Sequence, residues 1–230
     1  MTALLKAENL CKEYSRGSRK FLALDNVNLD VSAGDFVSII GRSGSGKSTL
    51  LNIIAGMLAP TSGKVFLHGA DISGKPDAEL SRLRNDTVGF IPQGASALPA
   101  LTVLENVMLP FCLYPHEGDG EGYARMLLER FGIASLAGSY PDELSGGELR
   151  RALIARALIN HPEVVIADEP TSDLDVKSSL EVMKIFAGLN AEGVTLLVVS
   201  HDLESLKYSR SVYTMSEGRL TPGMSLALGA

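Results

Sequence analysis

With 230 residues, 45% of them apolar, the chain is long enough to bury one sizeable α/β core and too short for two comfortable domains. A net charge of −6, without any lysine- or arginine-rich block, argues against a nucleic-acid backbone as the main partner. The two cysteines, Cys11 and Cys112, lie far apart and lack metal-ligand spacing, so they read as two buried thiols of a reducing compartment.

The N-terminal stretch MTALLKAENLCKEY has no basic region followed by an unbroken apolar run, so no secretory signal is expected and the chain should stay in the cytoplasm. ALLKAENL, NVNLDV and DFVSIIG read as short strands, separated by a polar stretch at 15 to 20 and by the turn SAGD. FVSII is apolar on both faces, the pattern of a central strand covered on both sides. TLLNIIAGML has helical length and is expected to end at Ala59-Pro60. VGFI, EVVIADE and VTLLVVSH read as further short buried strands, and strands alternating with helices imply a parallel sheet. Ala95 to Pro115 carries Glu105 as its single charge and invites a membrane test. Pro99, Pro110 and Pro115 would break a spanning helix, and Glu105 and Asn106 would be costly at mid-span, so buried helix and turn are expected. Residues 100 to 160 lack β-branched runs and carry helical patterns, YARMLLERF and ELRRALIARALI, between two strand signals, which suggests an inserted helical lobe. The tail TPGMSLALGA is expected to be peripheral.

GRSGSGKST, Gly41 to Thr49, follows a buried strand and opens a helix, the context that the G-x-x-x-x-G-K-[ST] pattern requires. Gly41, Ser43, Gly44, Ser45, Gly46, Lys47, Ser48 and Thr49 are therefore candidate phosphate-binding residues. The glycines let successive N–H groups curl round phosphates, the helix presents its positive end, and Lys47 adds a point charge. Ser48 is the candidate hydroxyl ligand of Mg²⁺. VVIADEP ends an apolar strand in two carboxylates, so Asp168 fits as the Mg²⁺-side acid and Glu169 as the general base that takes a proton from attacking water. Phosphoryl transfer from a nucleotide follows, and the lack of an N-K-x-D-like stretch favours ATP over GTP. A second glycine pair stands in LSGGELRR. Ser145 and Glu148 have capping-box spacing before a helical run, which puts Gly146 and Gly147 in its first turn, with their N–H groups and the serine hydroxyl open to an anion.

With these motifs combined, nearly the whole chain resembles the ATPase subunits of ABC transporters. The resemblance implies a P-loop NTPase of ABC type, α/β, with a mainly parallel central sheet, an N-terminal antiparallel β part and an inserted helical lobe. It would be one domain, with residues 1–94 and 161–230 as core and 95–160 as lobe. It implies a head-to-tail dimer in which Leu144 to Glu148 of one copy closes over the γ-phosphate held by the other, consistent with isologous symmetry. Tyr14 sits where the family stacks a ring on adenine, and Gln93 in FIPQG matches the loop whose amide oxygen touches Mg²⁺. SDLD, Ser172 to Asp175, resembles the loop crossing the interface, and His201 the histidine contacting the γ-phosphate. His68, His116 and His161 match nothing and are expected to be structural. Glu148 stands where glutamine is common, and Asp173 where a small or amide residue is usual.

LPALTVLENVMLP, SYPDELSGGE and ADEPTSDLD look most like the branch of macrolide exporters, lipoprotein-release machines and antimicrobial-peptide resistance pumps. That resemblance implies a permease on another chain, with GASALPALTV lining the groove for its coupling helix, and a place at the cytoplasmic face of the membrane. A regulatory ATPase not coupled to transport is the alternative; a nucleotide kinase would need neither LSGGE nor SDLD.

Overall fold

The structure, a computed structural model, describes residues 3–17, 19–94, 96–201 and 203–223. The expectation for the tail therefore falls outside the described residues from residue 224 on, and Ala95 of the expected permease groove also lies outside them.

The first apolar alternation makes a long hairpin of β1 (Leu5–Arg16) and β2 (Arg19–Val31). Leu5 and Ala7 face inward with period two; Asn9 then adopts φ 49° at a register shift, and Leu10 comes back onto the buried side. The polar stretch expected to separate strands belongs to them instead, since Ser15 pairs with Lys20 and Arg16 with Arg19 around the turn. β4 (Ser62–Leu67) pairs with β1, and β5 (Ala70–Asp71) completes an antiparallel sheet of order β2-β1-β4-β5.

The second sheet is built from β3 (Phe36–Ile40), β6 (Val88–Ile91), β7 (Val164–Asp168), β8 (Thr195–Ser200), β9 (Ser211–Ser216) and β10 (Arg219–Pro222). Its order is β10-β9-β3-β8-β7-β6, parallel throughout except where β10 turns back on β9. Alternation assigns the faces. Ile166, Leu197 and Val199 join the antiparallel sheet and α1 (Lys47–Ile54) in one core. Val165, Leu196 and Val198 point the other way, into a core shared with α3 (Val103–Leu113), α4 (Gly120–Arg130), α5 (Gly146–Leu158) and α6 (Val176–Ala191). The doubly apolar strand pattern is thus explained by cover on both faces. Between β6 and β7 the regular elements are all helical, but their apolar side chains, such as Val107, Leu128 and Ile154, share one core with the sheet.

Two further sequence expectations are corrected, on the end of α1 and on the thiols. α1 stops at Ile54, not at Ala59, because Gly56 takes φ 67° and turns the chain away. α3 starts in a full Thr102–Glu105 capping box, carries Pro110 in its last turn and ends at Leu113, far short of a span. Among the described residues no helix is long and apolar enough to cross a membrane. The thiols are not both buried: Cys112 is exposed and Cys11 half-buried. α2 (Asp77–Thr87), which buries no residue, carries too weak an apolar stripe to announce itself.

Candidate active site

Parallel strands deliver their C-terminal ends to one edge of a sheet. Here β3 runs into the Gly41–Gly46 loop, β6 into Gln93, β7 into Asp168 and Glu169, and β8 into His201. These segments surround a cavity of about 810 Å³ lined by Tyr14, Gly41, Ser43, Gly44, Gly46, Lys47, Ser48, Thr49, Gln93, Glu169 and His201.

The loop has its shape for steric reasons. A side chain at Gly41 would put Cβ 2.3 Å from the Met215 carbonyl, and one at Gly46, where φ is 108°, would meet the Ala23 carbonyl at 2.3 Å. Gly46 also caps α1 without a side-chain hydrogen bond, and no acid occupies the helix's first turn. The first N–H groups and the dipole of α1 therefore remain available to an anion. Lys47 is 5% exposed and donates from Nζ to the Gly41 and Arg42 carbonyls at 2.9 and 3.0 Å. Ser45 is turned under the loop, with its Oγ buried and unpartnered and its N–H donating to the Arg42 carbonyl at 3.2 Å.

Glu169 is the meeting point. Its Oε2 accepts from Gln93 Nε2 at 3.1 Å and lies 3.4 Å from His201 Nδ1, while Oε1 is 3.9 Å from Lys47 Nζ. The backbone at Glu169 is left-handed, φ 47°, a conformation that a non-glycine residue holds only when its surroundings impose it. Those surroundings are hydrogen bonds: Glu169 N donates to the Val199 carbonyl at 2.9 Å, and the Ser172 hydroxyl and N–H donate to the Glu169 carbonyl at 2.8 and 3.1 Å.

Asp168, 6% exposed, sits beneath this carboxylate. Burial pushes its pKa up, a hydrogen bond from Ser48 pulls it down, Glu169 pushes it up again and Lys47 pulls it down. One of its oxygens, Oδ1, is buried without a partner. A buried carboxylate with a vacant lone pair, a serine hydroxyl beside it and an open helix end together fit a Mg²⁺-bound polyphosphate, since Mg²⁺ takes few protein ligands and completes its shell with phosphate oxygens and water. Among the described residues no cluster of three or more His, Cys, Asp or Glu forms a protein-only metal site.

Ser145, Gly146, Gly147 and Glu148 do not line this cavity. The expected capping box is present: Glu148 N donates to Ser145 Oγ, and Glu148 Oε2 accepts from Ser145 N at 2.8 Å. The serine hydroxyl is not open as expected, because it donates to Glu148 Oε2 at 2.6 Å. These two bonds, the hydroxyl's first, hold the Glu148 carboxyl below its ordinary pKa.

Sequence reasoning missed Phe21, Ala23 and Arg42 as lining residues. Phe21, 52% exposed, pairs with Tyr14 across the hairpin and stacks on it, ring centroids 5.8 Å apart. A flat aromatic pair at the cavity mouth suits a purine base. The expected structural histidines have local roles: His68 lies 3.0 Å from Glu163, His116 stacks on Phe111 and His161 on Tyr123.

The family pattern described as ABC transporter matches residues 24–172. An uncharacterized ABC transporter ATP-binding protein of Methanocaldococcus jannaschii, MJ1508, is 41% identical over 218 residues, 94% of this chain and 97% of the relative. YknY of Bacillus subtilis, also named an uncharacterized ABC transporter ATP-binding protein, is 41% identical over 224 residues, 96% of this chain and 97% of its own. In three dimensions the chain superposes with TM-score 0.91 on the ATP-binding cassette MJ0796, solved as a post-hydrolysis dimer bound to ADP and Pi. The two are 37% identical, with 97% of this chain and 99% of that one covered. With phosphate loop, paired carboxylates, capped second glycine turn and these likenesses in agreement, the chain belongs to the ABC transporter family, as one of its ATPase domains.

Proposed function

We propose that two copies of this chain close head to tail over two ATP molecules and drive a permease at the cytoplasmic face of a membrane. One observation carries the dimeric reading: of the glycine turns that open α1 and α5, only that of α1 opens into the cavity that holds Lys47 and Glu169, while Ser145–Glu148 lies outside it. The turn Ser145–Glu148 then serves the nucleotide of a second copy, and the dimeric state of the similar cassette MJ0796 supports this.

In this reading the Gly41–Thr49 loop and α1 bind the phosphates, with Lys47 shifting from the Gly41 and Arg42 carbonyls toward them, and Tyr14 and Phe21 bracket the base. Ser48, Asp168 and the Gln93 amide oxygen would hold Mg²⁺, which neutralises phosphate charge when bound. Gln93 donates its amide nitrogen to Glu169, which leaves its oxygen for that task. Glu169 takes the proton of the attacking water and His201 approaches the γ-phosphate. Residues 95–160 act as the lobe that moves against the core on closure.

The permease reading draws on an apolar surface beside β6. A groove of about 320 Å³ is lined by residues including Met57, Phe90, Leu113, which is 62% exposed, and Tyr114; no described residue of the expected stretch 94–103 lines it, though Leu98 of that stretch is 45% exposed. Such a surface suits the apolar side of a docking helix. The stretches LPALTVLENVMLP and ADEPTSDLD favour the branch that pairs with permeases of few spanning helices and large external domains. The test is to purify tagged Glu169→Gln protein from gently solubilised membranes with Mg²⁺ and ATP, and to identify its companions by mass spectrometry. A few-span permease supports the branch, a many-helix permease replaces it, and no membrane companion favours a regulatory ATPase.

A further inference from the structure

Arg150 has no part in the chemistry described above, yet it is one of the few charges the fold buries. It lies on α5, is 5% exposed, and donates from its guanidinium to the Pro92 carbonyl at 3.3 Å. Burial lowers its pKa, and the negative charge of Asp173 raises it again. A buried charge is costly without compensation, and both the Pro92 carbonyl and the negative charge of Asp173 act on this one. Asp173 stands in a left-handed conformation, φ 63°, in the loop that follows Glu169; Pro92 immediately precedes Gln93.

The same helix grips the Gln93 segment a second time. Arg156 donates to the Ser96 carbonyl at 2.9 Å and to the Ser96 hydroxyl at 2.7 Å. Gln93 is thus held between two anchored residues, and its amide in turn meets Glu169. At its other end α5 lies against the segment after Glu169: a Cβ at Gly146 would come within 3.2 Å of Leu174, and one at Gly147 within 2.8 Å of the Ser178 hydroxyl.

We infer that Arg150 is a positioning residue for hydrolysis: its guanidinium ties the Gln93 segment to the helix whose first turn, Ser145–Glu148, packs against Leu174 and Ser178 beyond Glu169, and it feels the charge of Asp173 from the intervening loop. A displacement of that helix end is then transmitted to the amide and the carboxylate together. The inference rests on Glu169 being the base, and it concerns the rate of the chemical step rather than nucleotide affinity.

The test is steady-state ATPase kinetics of the full chain with melting temperatures, for wild type, Arg150→Gln, Arg150→Lys, Asp173→Asn and the Arg150→Gln/Asp173→Asn pair. Arg150→Gln is expected to lower kcat about tenfold to a hundredfold, the scale of a small misplacement of catalytic groups, with KM for ATP within about twofold of wild type. Arg150→Lys recovers part of the loss, and the pair is no slower than Arg150→Gln alone, because both changes break one coupling. A folded Arg150→Gln with wild-type kcat, a rise in KM in place of the fall in kcat, or strictly additive losses in the pair would overturn the inference. Should Arg150→Gln fail to fold, Arg150→Lys and Asp173→Asn decide: a lower kcat at unchanged KM in either supports it, and wild-type kcat in both overturns it. Glu169→Gln measured alongside separates the two levels. If it hydrolyses ATP at the wild-type rate, the base assignment falls and the inference with it; if it is inactive while Arg150→Gln is normal, the inference alone falls.

Discussion

Gln93 and Glu169, far apart in sequence, are joined by a 3.1 Å hydrogen bond from Nε2 to Oε2 across the carboxyl ends of two adjacent parallel strands. The bond holds the carboxylate that lies beside Lys47 and His201, and it leaves the amide oxygen of Gln93 outside that contact. The carboxylate is thus held by a residue just beyond β6, where the chain leaves the sheet for the helices α3 to α5.

Glu169→Gln keeps the shape and the neighbours of that carboxylate and removes its basicity. Turnover of ATP should fall by about 10²- to 10⁴-fold, the usual worth of a general base, while nucleotide binding persists. Steady-state phosphate release beside equilibrium binding of a fluorescent ATP analogue measures both.

Lys47→Ala acts earlier in the cycle. A buried ammonium that reaches phosphates through charge-assisted hydrogen bonds contributes about 1.5–3 kcal/mol, so ATP affinity should drop roughly ten- to a hundredfold. Titration calorimetry with ATP reads it directly, and unchanged affinity would remove Lys47 from the phosphate site.

Glu148→Gln takes a negative charge from the first turn of α5. The glutamine oxygen still accepts from the Ser145 N–H, so the helix stays capped, and an approaching phosphate no longer meets a carboxylate that Ser145 keeps ionised. ATP-dependent dimerisation should tighten about two- to fivefold, the scale of a surface charge at a helix end. Weaker or equal association in analytical ultracentrifugation would refute it.

Asp168 makes the nucleotide-free fold pay for function. A carboxyl whose folded pKa is raised contributes stability that is complete below its unfolded pKa and is lost as pH rises through the folded value. At neutral pH the Asp168 charge therefore destabilises the protein without nucleotide. Asp168→Asn should melt several degrees higher than wild type at pH 7, with the gap narrowing toward pH 4, and should lose Mg²⁺-dependent hydrolysis. Thermal scans over that pH range decide it.

How much of this could be read from residues alone varies along the chain. The phosphate loop and the paired acids were legible because strand, turn and helix must follow in a fixed order there, and the doubly apolar VVIAD and TLLVVS betray their buried positions. The Tyr14–Phe21 pair was hidden, since a polar hairpin tip looks like a loop when strand pairing is unknown. The fate of the Ser145 hydroxyl was hidden too: spacing announces a capping box but does not say which acceptor the hydroxyl takes. Arg150 gave no sign at all, because on a helical pattern an arginine beside Arg151 reads as a solvated face until the fold buries it against the Pro92 carbonyl.

The central claim is that one active site is built from two copies. Light-scattering mass of Glu169→Gln with and without Mg²⁺-ATP, beside the same protein carrying Ser145→Arg, tests it most directly. The account predicts a single-copy mass without nucleotide, a two-copy mass with it, and no ATP-dependent pairing once Ser145→Arg blocks the turn. A single-copy mass for Glu169→Gln with ATP bound, or pairing that ignores Ser145→Arg, would contradict it.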